Sequence, residues 1–214
     1  KQIKNFHQHI GSGRDFDKVN GVIGAAWAIE GLAAAYNVLA DETFIAVCDE
    51  IYRDHKFNHK KALWHRCDID GSTGRIDQTF NHQLWFAAAS SKVYKEDSHK
   101  LQRFLDNLKF NYTTYSDGLI YHPLVYKADF KSKLRGVLEG ANLIYDRVLG
   151  RQQTKRSIIN YEAKMLWKSI GYHSFNMYAF FLLRTNIPSH DFWGCQTFKK
   201  SCDYILSKNY MCSL

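Results

Sequence analysis

The sequence predicts an all-α fold of repeated helical hairpins, with polar loops gathered at one end. Three observations predict it. Low-charge aromatic segments alternate with amphipathic ones, only Pro123 and Pro188 interrupt the 214 residues, and one aromatic motif returns further along the chain.

Residues 1–18 read as irregular, with a turn at Gly11, Ser12 and Gly13. A helix follows over 19–40, crowded with Ala25, Ala26, Trp27, Leu32, Ala33, Tyr36 and Leu39. Its one charge is Glu30, so it should be buried on most faces. Asp41 can cap a second helix that carries Phe44, Val47, Cys48 and Ile51 on one stripe. After a loop holding Gly71 and Gly74, the stretch 77–93 is again poor in charge and rich in Phe, Trp and Ala. The stretch 98–110 then places Leu101, Phe104, Leu105 and Leu108 at helical spacing. Residues 118–121 read as a structured loop or short hairpin. Amphipathic helices are predicted over 129–149, through Leu134, Val137, Leu138, Ala141, Ile144, Tyr145 and Val148, and over 157–170. A low-charge aromatic helix over 171–184 follows, then an amphipathic one after Pro188 through Phe198, Cys202, Ile205 and Leu206.

The returning motif is F-N-x-x-x-aromatic-F, in Phe80-Asn81-His82-Gln83-Leu84-Trp85-Phe86 and Phe175-Asn176-Met177-Tyr178-Ala179-Phe180-Phe181. Its separation is about two helical-hairpin periods. Buried helices alternating with amphipathic ones suit an inner and an outer ring, a partial or complete α/α toroid of about eight helices forming one domain over 1–214.

Composition sets the outer limits. Hydrophobic residues make up 45% and charged residues 23%, which suits an ordered domain able to bury a core. Lysine and arginine outnumber the acids 29 to 21, an excess that reads as a solvated surface spread over outer helical faces or as a face for anionic partners. The basic run of Arg147, Arg151, Lys155 and Arg156 comes with no nucleic-acid reader motif, so a nucleic-acid partner is not expected. Five cysteines form no CxxC pair and leave one over, which leans towards a reducing, cytoplasmic setting. No uninterrupted apolar run reaches the roughly 18 residues that cross a bilayer, and no membrane partner is expected. No signal peptide is visible at Lys1. The stretch from Asp68 to Asp77 misses the calcium-loop register, with Thr73 and Thr79 where Gly and an acid belong. Neither a metal nor another cofactor is expected.

The segment from Gly74 to Trp85, the segment from Gly171 to Asn176 and the alternation between them resemble the α/α toroid superfamily of carbohydrate-active proteins. Its members include six-hairpin glycosidases, unsaturated glucuronyl hydrolases, sugar 2-epimerases and polysaccharide lyases. The resemblance implies a sugar cavity at the N-terminal ends of the inner helices. A full six-hairpin ring is longer than this chain, so the ring is open, completed by another chain, or a piece of a longer toroid.

Three polar loops, 71–82, 117–122 and 171–176, then supply the candidate site. Asp77 reads in two ways: as a general acid whose pKa burial raises, or as the N-cap of the helix it precedes. His82 and His173 are its candidate catalytic assistants, each also readable as a satisfied structural histidine. Asn81, Asp117, His122 and Asn176 are candidate ligands for hydroxyls, Asn81 and Asn176 reading equally as ties from inner helices to neighbouring loops, while Trp85, Tyr121 and Tyr172 offer flat faces to a sugar ring, with Tyr178 as a further surface. The expected function is action on, or binding of, an acidic, uronate-type oligosaccharide or polysaccharide by a hydrolase-, epimerase- or lyase-like protein. The competing expectation is a non-catalytic helical-repeat scaffold.

Overall fold

Two tight devices turn the first helix into the second. In the computed structural model, which describes residues 21–68, 70–94, 98–124 and 153–212, helix α1 runs over Gly21–Leu39. Ala40 follows in the left-handed region at φ 52°, and its N–H closes the helix on the Tyr36 carbonyl. Asp41 then caps α2 (Glu42–Asp54) by accepting the Thr43 N–H at 2.9 Å. The predicted irregular start at 1–18 and the predicted helix at 129–149 lie outside the described residues.

The next segment overturns the all-α expectation. Residues that read as a loop form a three-stranded antiparallel sheet in the order β1 (Phe57–Asn58), β2 (Leu63–Cys67), β3 (Thr73–Ile76). Phe57 pairs with Trp64, and His65 with Ile76, with an irregularity before Cys67 pairs with Thr73. That irregularity hides the strand from a period-2 search. Leu63 and Trp64 are adjacent yet both fully buried, where a regular strand would alternate. The fold is therefore mixed, seven helices and a small sheet among the described residues, and not an all-α toroid.

Helices α3 (Phe80–Tyr94) and α4 (His99–Asn111) follow, the latter capped by Ser98 accepting the Leu101 N–H. The predicted hairpin at 118–121 is present: Thr114 bridges Ile120, and Gly118 turns at φ 100°. No Cβ fits at Gly118, because it would stand 2.2 Å from the Lys200 carbonyl oxygen.

A second correction concerns the helices predicted over 157–170 and 171–184. They are one helix, α5 (Gln153–Asn186), about 50 Å long at 1.5 Å per residue. Gly171 reads as their boundary in the sequence. A lone glycine costs a helix only about 1 kcal/mol, and no proline follows until Pro188. The chain ends its described course in a 3-10 turn (Asp191–Gly194), α6 (Gln196–Ile205) and α7 (Lys208–Met211).

Among the described elements helix α3 is central, packed between α1 and α5, which explains why it lacks a polar face. Trp64, Phe80, Phe86, Phe104 and Phe180 are all buried around it. Each such aromatic stabilises the fold by about 1.5–3 kcal/mol on leaving water. Helix α1 is long and apolar enough to cross a membrane by length and composition, although it contains no unbroken apolar run of that length. Val22, Ile23, Ala25, Ala26, Ile29 and Ala33 on it are buried within the protein. That packing sets its first half into the core, while Trp27, Val38 and Leu39 stay exposed.

Candidate functional site

A buried carboxylate organises the end of the molecule where α1 and α3 begin. The Asp77 side chain is fully buried, just before α3. Its Oδ2 accepts the Val22 N–H at 3.0 Å, holding the first turn of α1, and its Oδ1 accepts the Thr79 N–H at 3.0 Å. Arg66 on β2 approaches Oδ1 at 3.4 Å. Asp77 thus ties two helices and a strand together, a wider role than the N-cap read from sequence. The approach of α1 depends on Gly21, whose φ is 64° and whose Cβ, if present, would lie 1.8 Å from Asp77 Oδ2.

The remaining partner of Asp77 is chemical as well as structural. His82 Nδ1 lies 2.9 Å from Oδ2. Burial pushes the Asp77 carboxyl up, but the hydrogen bond and charge of His82, the Arg66 guanidinium and the Thr79 N–H outweigh it and hold the pKa at about 2. This reverses the direction that sequence reasoning gives, which weighs burial without the three donors. An ionised Asp77 only accepts hydrogen bonds, so His82 Nδ1 is the donor. The lone pair of neutral His82 is then fixed on Nε2, at the far side of the ring. The His82 side chain is 16% exposed, so this buried carboxylate orients a histidine that reaches the surface.

A strap of chain lies beside this pair. The His122 carbonyl accepts the Phe80 N–H at 3.3 Å, Leu124 N–H reaches the Gln78 carbonyl at 3.1 Å, and Thr79 bridges Pro123. On its other side the His122 N–H donates to Ser169 Oγ on α5 at 3.1 Å. The His122 ring stacks on Tyr172, with centroids 5.0 Å apart and planes 24° from parallel. Burial, with the charges of Lys168 and His82 adding to it, pushes the His122 pKa down to about 4, so the ring is neutral near pH 7. Its Nδ1 is buried with no hydrogen-bond partner among the described residues.

Other sequence candidates are distributed differently. His173 is fully buried and does not join Asp77 and His82: its Nδ1 accepts the Ile120 N–H at 3.3 Å and its Nε2 donates to the Ser201 carbonyl at 3.2 Å. With both nitrogens occupied and Tyr204 and Tyr210 against its ring, it holds the 118–121 hairpin to α6. Trp85 is packed into the core against Phe175 at 4.3 Å, so its ring faces belong to the fold. Asn81 and Asn176, the matching asparagines of the repeated motif, are both buried, and their Oδ1 atoms, like Trp85 Nε1, have no hydrogen-bond partner among the described residues. Orphaned buried polar atoms call for a water or ligand. Asp117 accepts the Leu119 N–H at 3.1 Å and shapes the Gly118 turn. Tyr121 packs edge-on to Tyr115, and Tyr172 and Tyr178 remain exposed at 39% and 50%.

Arg66, Lys168 and Gly21 escape sequence reasoning. Arg66 lies in the unrecognised strand, and nothing local marks the other two. Among the described residues no group of three His, Cys, Asp or Glu side chains is placed to hold a metal ion.

Over 200 residues, 91% of the chain, the sequence is 35% identical to archaeal glycosylation protein Q of Haloferax volcanii. The matched part is 53% of that protein, so the chain spans about half the length of the curated relative it matches. No family model matches the chain, and no solved structure matches it.

Proposed function

We propose that this chain serves glycosylation as a carbohydrate-active domain, working on an acidic, uronate-type sugar through proton transfer at His82. The observation that supports it most is the Asp77–His82 pair: an ionised, buried carboxylate fixing the tautomer of a histidine that reaches solvent. The name of the relative, a glycosylation protein, points to the same substrate class.

The pair changes which chemistry fits. Asp77 at a pKa of about 2 carries no proton to donate near neutrality, so it positions His82 and is not itself the acid. Glycoside hydrolysis in its usual form uses two carboxyl groups flanking the bond. A single oriented histidine suits removal of a proton next to a carboxylate instead. In that step the C5–H bond of a uronate breaks, His82 Nε2 gains the proton, and the electron pair moves onto the carboxyl oxygens. Return of a proton from solvent to the opposite face gives an epimer. Departure of the C4 oxygen with its bonding pair, protonated by His82, leaves a C4–C5 double bond and an unsaturated sugar.

Incubation with glucuronate-terminated oligosaccharides in deuterium oxide tests the reading by mass and NMR. The wild type should wash deuterium into C5 or release the C4 substituent, and His82→Gln should abolish either while keeping its circular dichroism. No exchange or elimination across the panel would sink the proposed reaction. A second reading, a non-catalytic interaction module, is favoured by the exposed side chains of Trp167, Tyr178 and Phe181 along one face of α5. On that reading the sugar panel leaves the chain unchanged.

A further inference from the structure

We propose that Lys168 and His122 form an oxyanion subsite beside His82, taking the carboxylate or phosphate group of a sugar. The inference rests on the carbohydrate reading above and deepens it, naming the group that sets charge selectivity.

The strap fixes the geometry. Its hydrogen bonds to Phe80 and Ser169 hold His122 between the first turn of α3, where His82 stands, and residues 168–172 of α5. Tyr172 backs the imidazole, and Lys168, one helical turn earlier, shares its side of α5. The Lys168 side chain is half-buried and has no carboxylate partner among the described residues. The Lys168 charge reaches the His122 ring and favours an anion there. The nearby carboxylate, Asp77, is already paired with Arg66 and hydrogen-bonded by His82.

This leaves an arrangement that the described residues do not explain. Among them, a half-buried ammonium has no counter-ion and a buried imidazole nitrogen has no partner. One oxyanion satisfies both, by an ion pair with Lys168 and a hydrogen bond from neutral His122 in its Nδ1–H tautomer. During proton abstraction by His82, the same Lys168 charge would stabilise the electron pair arriving on the carboxyl oxygens. Lys168 is then a specificity-determining residue and His122 its positioning partner.

The test is calorimetric titration of the full chain with methyl glucuronoside, glucose 6-phosphate, inorganic phosphate and neutral methyl glucoside. At least one charged probe should bind more tightly than methyl glucoside. Lys168→Gln should weaken that probe roughly tenfold, the loss of one charge-assisted contact. Lys168→Arg should recover part of it, and affinity should fall as salt is raised. The ranking of uronoside against the phosphates identifies the source of the oxyanion. Equal binding of charged and neutral sugars, unaltered affinity in Lys168→Gln, or no binding of any charged probe overturns the subsite. Should Lys168→Gln fail to fold, salt-independent affinity of the wild type overturns it instead. Lys168-dependent binding without deuterium exchange would keep the subsite and remove the proposed reaction. Exchange on a uronate with no dependence on Lys168 would do the reverse.

Discussion

Replacing Asp77 by asparagine tests whether one carboxylate both assembles this end of the fold and holds His82. A carboxyl lowered from its ordinary 3.8 to about 2 contributes about 2 kcal/mol to folding near neutral pH. The sign follows from the direction: the folded state holds the ionised form more tightly, so the contribution is complete above about pH 4 and fades as pH falls towards 2. The replacement amide would also set an N–H against the donors of Val22, Thr79 or His82, and would leave Arg66 without its buried counter-charge. Breaking a buried pair from one side costs about 3–5 kcal/mol. Urea unfolding from pH 7 to pH 2 should therefore show a gap of about 3–5 kcal/mol between wild type and Asp77→Asn at pH 7. About 2 kcal/mol of that gap should close by pH 2. The difference between the proteins is the informative quantity, because His122 and His173 lose stability in both as acid is added. A gap that stays constant with pH would refute the electrostatic account of Asp77, and a gap near zero would refute its structural one.

The neighbouring residues give two further outcomes. Gly21→Ala places a left-handed alanine where a Cβ meets Asp77 Oδ2; it should cost about 1 kcal/mol from backbone strain plus most of the Asp77 contribution. In an Asp77→Ala background the same change should cost only the backbone part, and equal costs in a double-mutant cycle would break the link. His173, lowered to about 4 chiefly by burial, binds its proton later in the folded state than in the unfolded one. Wild-type stability should therefore fall between about pH 6.5 and pH 4, by less in His173→Gln, as measured by denaturation midpoints. Identical pH profiles would place its ring in solvent.

How much of this is legible in the sequence follows from the range of each interaction. Helices α1 to α4 can be read because their signals are local: the apolar crowding of 19–40, the Asp41 and Ser98 caps, and the stripe through Leu101, Phe104 and Leu108. The sheet cannot, because Leu63 and Trp64 are both buried and the irregularity before Cys67 destroys alternation. The continuity of α5 is hidden by Gly171, since a glycine marks both helix ends and tolerated interior positions. At the site, Asp77 and His82 stand five residues apart and are found together. Arg66, Gly21 and Lys168 reach the same end from other elements, and nothing in their own neighbourhoods announces it. The pKa of Asp77 is misjudged from sequence in part for that reason: burial is visible from an apolar helix, whereas the Arg66 guanidinium comes from an unrecognised strand, and the Val22 N–H that Asp77 also holds comes from 55 residues away.

That distance also decides which substitutions can separate chemistry from folding. Asp77 cannot, because the oxygen that orients His82 also holds the first turn of α1. A loss of activity in Asp77→Asn is therefore ambiguous whatever the reaction. His82 and Lys168 are better placed, since the described hydrogen bonds tie the His82 side chain only to Asp77 and leave Lys168 without a carboxylate partner. Changes there should move binding or turnover well before they move stability. If His82→Gln instead unfolded the chain as readily as Asp77→Asn, the pair would be a structural clamp, and the interaction-module reading would gain the ground that the enzyme reading lost.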